Sequence, residues 1–105
     1  MILSTTNIIE GKPVTAYLGI VTSEVIIGAN FMKDFLGGLR DFFGGRSGTY
    51  EGVLKEAREN ALAELRQNAQ SMGADAVIGI DLDYETVGSG GSMLMVIASG
   101  TAVKF

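Results

Sequence analysis

The 105-residue chain (11.0 kDa) carries twelve acidic and eight basic side chains, a net charge of −4 and a pI near 4.6, so it lacks the basic stripe that nucleic acid or an anionic membrane surface would require. It has no Cys and no His, which removes disulfides, thiolate nucleophiles, Cys-type zinc sites and the commonest general base together. A hydrophobic share of 47% with a mean hydropathy of +0.30 is high for a single domain of this size, which has little interior to hide apolar side chains, and predicts that some surface meets another protein.

The start, "MILSTTNIIEGK", lacks the charged region, apolar run and small-residue cleavage site of a signal peptide. The longest apolar stretch, from Met93, is shorter than the ~20 residues that span a bilayer. A soluble cytoplasmic protein is expected. Residues 2–5 predict a short strand. Residues 14–27, rich in β-branched side chains and preceded by Gly11-Lys12-Pro13, predict a longer one. From Asn30 to Phe43 apolar residues recur at helical spacing, although Gly37 and Gly38 weaken that helix by about 1 kcal/mol each relative to Ala.

A second, longer helix is predicted from Tyr50 to Met72, where Ala, Leu, Glu, Arg and Gln dominate, with Ser47 or Thr49 as N-cap and Gly73 as a left-handed C-cap. Residues 74–87 alternate, which places Ile78, Ile80, Leu82 and Tyr84 on one strand face and Asp81, Asp83 and Glu85 on the other. "GSGG" at 88–91 predicts a turn, and residues 93–105 the last strand of a hairpin, apolar on both faces. Two helices cannot cover every apolar face of such a sheet, so a closed homo-oligomer is expected.

Four groups of polar residues call for an account. Arg58 falls in the helical stripe of Leu54, Ala61, Leu65, Ala69 and Met72. A structural ion pair, within the chain or across a subunit boundary, is favoured there over a ligand-binding cation, because an unpaired buried guanidinium is very costly. Asn68 poses the same question at the same stripe. Asp81, Asp83 and Glu85, spaced about 7 Å apart along one strand face, could hold a hard cation, but a solvated face is favoured. Gly44, Gly45 and Gly48, with Arg40, Arg46, Ser47 and Thr49, could cradle an anion ahead of the long helix. The Gly-Lys-Ser/Thr ending of a phosphate loop is missing and Glu51 occupies the first turn, so hinge and cap is preferred. Neither a catalytic residue nor a cofactor emerges.

"TT" at 5–6, "GIV" at 19–21, "GGRSGTYEGVLKEARENAL" at 44–62, "GADAVIGIDLDYE" at 73–85 and "GTAV" at 100–103 together resemble the YbjQ-like family of uncharacterised prokaryotic proteins, in order and over essentially the whole chain. The resemblance implies an α+β fold of the dodecin-like kind, a small antiparallel sheet packed on one long and one shorter helix and assembled as a closed pentamer. It implies no established activity and brings a heavy-metal-binding label. With Cys and His absent, any metal ligands here must be carboxylates, methionines or main-chain carbonyls.

Overall fold

The computed structural model describes residues 1–28, 47–88 and 93–105, with the backbone alone for 47–51. Strands β1 (Ile2–Leu3) and β2 (Ala16–Ile27), helix α1 (Ser47–Ser71) and strands β3 (Ala76–Val87) and β4 (Met93–Lys104) follow in chain order. The architecture is α+β. The sheet order is β1-β3-β4-β2, with β2 and β3 each antiparallel to the central β4. The expectation of an antiparallel sheet is corrected at one edge, because β1 runs parallel to β3, Ile2 opposite Ala76 and Leu3 opposite Val77. The sheet is therefore mixed, and a two-residue strand carries no pattern from which its direction could be read. The shorter helix expected over 30–43 and most of the glycine turn at 88–91 lie outside the described residues.

Helix α1 begins three residues before its predicted start, so Ser47 and Thr49 fall inside its first turn. Its end follows the sequence reading closely. Gly73 takes φ +82°, its N–H donates to the Gln70 carbonyl (3.0 Å), and the Ala74 N–H donates to the Ala69 carbonyl (3.1 Å). This pair of bonds is the Schellman arrangement, and it needs a residue free to adopt left-handed dihedrals.

The helix packs mainly over β2 and β4 and scarcely touches β3. Its buried side chains are Val53, Ala57, Ala61, Leu65 and Ala69, spaced four apart as one helical face requires. The predicted stripe shared only Ala61, Leu65 and Ala69 with this set: Leu54 is half-buried and Met72 is exposed. Three alanines in five positions let the helix approach the sheet closely, and the buried Ser23 of β2 donates its hydroxyl to the Ala61 carbonyl at 2.6 Å. Val21, Ile27, Val77, Ile80, Leu94, Val96, Ala98 and Ala102 complete this core from the sheet.

A β-bulge divides β3. Its pairing with β4 jumps between Ile78 and Asp81, Gly79 takes φ +62°, and the Gly79 and Ile80 N–H groups donate to the Thr6 and Ser4 carbonyls of the N-terminal segment (2.9 and 3.1 Å). One inserted residue shifts the alternation, since side chains change face every residue. Ile80 and Leu82 therefore join the helix-side core, whereas Ile78 turns to the opposite face. The expectation that Ile78 and Ile80 share a face is corrected accordingly. On that opposite face Ala76, Ile78 and Val103 form a small second core, covered by Ile9, Val14 and Phe105. The Phe105 N–H donates to Asp75 Oδ2 (2.9 Å), which secures this end.

Candidate functional site

Beyond that second core, the sheet face turned away from the helix is a separate surface. Register defines three rows across it: Asp81–Ser99–Thr22, Asp83–Ile97–Glu24 and Glu85–Met95–Ile26, each running from β3 through β4 to β2. The next row toward the second core pairs Ile78, Thr101 and Ile20. Ile20 is 80% exposed, Tyr17 72% and Ile26 57%, while Met95 and Ile97 are half-buried. Thus an apolar strip on β4 and β2 lies beside a row of carboxylates on β3. Among the described residues, the side chains placed on these rows include no cation.

Within the carboxylate row, Asp81 and Asp83 stand two residues apart on the same face, close enough for a side-chain hydrogen bond when one of them holds a proton. That bond, followed by the repulsion of Asp81, desolvation and the repulsion of Glu85, holds the Asp83 carboxyl above the usual aspartate range. Two carboxylates this close are stabilised when a proton lies between them. The native protein therefore binds a proton at a pH where the unfolded chain has released it. The contribution of Asp83 to stability is favourable on acidification and is lost as pH rises through its raised value. In a carbon-detected NMR titration Asp83 is expected to titrate above the ordinary aspartate range, and Asp81→Asn should return it toward that range. Titration of Asp83 at or below that range in the unaltered protein would contradict the shared-proton geometry.

Three converging donors are the least that a protein-held metal site needs, and among the described residues no group of three Asp, Glu, His or Cys side chains could hold an ion. The available oxygens suit hard cations, whereas a thiophilic ion calls for thiolate, thioether or imidazole. Among the described residues, the carboxylates do not converge into a site that fits a heavy metal.

The other candidates are dispersed. Arg46 lies outside the described residues, and Ser47 and Thr49 enter only as backbone of the first helical turn, so the glycine-rich loop and its anion reading are outside the described structure. Arg58 is half-buried on the flank of the helix, roughly 60° around from Ala61 at the centre of the buried stripe. The sequence reading had put it at that centre because it omitted Val53 and Ala57. Asn68 is half-buried and donates from Nδ2 to the Thr22 carbonyl of β2 (2.9 Å), tying the helix to an edge strand.

Two concavities lie among the described residues. A small one of ≈ 40 Å³ lies between Ile27, Val53, Glu56, Ala57 and Asn60. A shallow one of ≈ 620 Å³ is lined by Ile2, Leu3, Ser4, Thr6, Ile8, Ile9 and Glu10. The two hydroxyls of the larger are engaged locally: Ser4 Oγ bonds Thr6 Oγ1 (2.6 Å) and the Thr6 hydroxyl donates to the Ile8 carbonyl (2.6 Å). Sequence reasoning missed Ser23 and the N-terminal cleft. A lone serine in a strand and an irregular loop give no periodic signal.

Comparison with known proteins adds three findings. Residues 1–105 match the family described as "Putative heavy-metal-binding". The chain is 62% identical over 103 residues to a UPF0145 protein of Acetivibrio thermocellus, which covers 98% of this chain and 97% of that protein. Its fold is similar to a crystal structure of a protein with unknown function of the DUF74 family from Pediococcus pentosaceus, with a TM-score of 0.56 and 19% identity over 100% of this chain and 97% of the other. Among the described residues no helix is long and apolar enough to cross a membrane.

Proposed function

We propose, from the premise that the chain belongs to the YbjQ-like (UPF0145) family, that it is a non-enzymatic module whose working form is a closed homo-oligomer. The observation that carries this reading is the sheet face away from the helix, where Ile26 stands exposed beside Met95 and, beyond Thr22, Glu24 and Ser99, Ile20 and Tyr17 form a second exposed apolar patch. Large apolar side chains left this exposed on one sheet face mark an interaction surface or an aggregation hazard. A ring of identical copies would cover it on every chain and end the assembly at a fixed number. Sequence and packing argue for self-association; the family resemblance supplies five as the number of copies. The metal reading of the family description is not adopted, because among the described residues the carboxylates do not converge into a site that fits it.

Light scattering coupled to size exclusion tests the proposal. The expected mass is several times 11.0 kDa and persists on dilution to micromolar concentration. Ile20→Asp, on the most exposed apolar residue of the face, should shift it toward the single-chain value. A stable monomer of the unaltered protein would overturn the proposal.

A further inference from the structure

The uncovered sheet face is acidic as well as apolar. Glu24, Asp81, Asp83 and Glu85 lie on its rows, and all but the strip between them is exposed. Two such faces stacked on each other would bring like carboxylates together in a partly desolvated interface, which is unfavourable. A symmetric face-to-face dimer is therefore a poor way to cover this surface. The covering partner should combine apolar contact with positive charge.

The same chain carries such a surface on α1. Taking Ala61 as the centre of the buried stripe and 100° per residue, Arg58, Leu62, Lys55 and Arg66 fall at roughly +60°, +100°, +120° and +140°. Glu64, Asn60, Gln67 and Glu56 fall at roughly −60°, −100°, −120° and −140°. All three basic residues described on the helix thus lie on one side, together with the half-buried Leu62 and, at its solvent edge, Glu59 at roughly +160°, while Glu64 and Glu56 lie on the other. The acidic flank is the one beside β2, since Glu56 and Asn60 line a concavity with Ile27 and Asn68 bonds Thr22. The basic flank consequently overhangs β3, the strand that the helix scarcely contacts.

The basic flank cannot reach the acidic face within one chain, because the two lie on opposite sides of the sheet. Building on the self-association reading, we propose that the Lys55–Arg58–Leu62–Arg66 flank of the helix docks on the acidic face around Asp81, Asp83 and Glu24 of the next copy. This contact joins two different surfaces. It is heterologous, so repetition yields a ring if the rotation closes. The guanidinium and ammonium groups meet the carboxylates, and Leu62 meets the strip of Ile97 and Met95.

Charge reversal tests the pairing. Lys55→Glu with Arg66→Glu, both at exposed positions, should weaken association at least about tenfold, as should Asp81→Lys with Asp83→Lys. All four changes in one chain should restore association to near the unaltered level. Carbodiimide coupling of mixed light- and heavy-isotope chains should join Lys55 of one copy to Glu24, Asp81, Asp83 or Glu85 of another. A helix reversal that assembles like the unaltered protein overturns the pairing while leaving self-association standing. Failure of the fourfold variant to recover also overturns it, as does coupling of Lys55 between copies only at other carboxylates. If a reversed variant does not fold, the coupling result on the unaltered protein decides. An unaltered protein that is monomeric overturns the self-association reading itself.

Discussion

Gly100→Ala is expected to destabilise the protein by about 3 kcal/mol, at the upper end of what an overpacked core residue costs. Gly100 sits on β4 opposite the β3 bulge, where a Cβ would come within 2.6 Å of Val77 Cγ1, 3.1 Å of the Ile78 carbonyl oxygen and 3.2 Å of Ile80 Cγ1. Relief is blocked on each side. Val77 is fully buried and stiff at its first torsion, the carbonyl is held in the ladder, and Ile80 is part of the same core. For a domain of about 100 residues such a loss lowers the melting temperature by more than about 10 °C. Thermal denaturation followed by circular dichroism would show it. A variant melting within a few degrees of the unaltered protein would mean that the bulge and β4 are not so closely packed. Gly100→Val adds two methyls to the same clash and should leave no folded protein to melt.

Leu65→Ala should cost about 4 kcal/mol, within the range of roughly 2–5 kcal/mol measured for buried leucines elsewhere. Leu65 is the largest side chain with no exposure at all, and its neighbours along the helix stripe, Ala61 and Ala69, are also fully buried but small. The close approach of helix to sheet, marked by the Ser23 hydroxyl on the Ala61 carbonyl, leaves those alanines no means of filling the void. Leu62→Ala, on the half-buried flank, should lose far less in the same melt. Equal losses at the two positions would show that the helix is seated differently from the arrangement described.

The two-faced apolar character of β4 could be read from its residues, and both cores use it: Leu94, Val96, Ala98 and Ala102 on the helix side, Val103 on the other. The Gly73 cap was legible because a helix-forming run ended at a residue able to adopt positive φ. Alternation failed at Ile78 because a bulge inserts one residue without altering composition, and Gly79 inside a strand was the available sign of it. The place of Arg58 was misjudged for a related reason. A stripe drawn from Leu54 to Met72 left out Val53 and Ala57, whereas the helix, lying close to the sheet, is centred on the column Val53, Ala57, Ala61, Leu65 and Ala69. The acidic row was visible as alternation, but its apolar neighbours on β2 and β4 depend on strand order and register, which connect positions far apart in the chain.

Strand β1 also bears on how the molecule is made. Ile2 must pair with Ala76, and the Ser4 and Thr6 carbonyls accept from Ile80 and Gly79, so the beginning of the polypeptide waits for a partner synthesised after most of the chain. Closing so long a loop is the slowest kind of step in a small domain. During translation the helix and the β3–β4 hairpin can form from local contacts, while Ile2, Leu3, Ile8 and Ile9 have no sheet edge to settle on. Residues made before the rest of this sheet are thus the last to find their place in it.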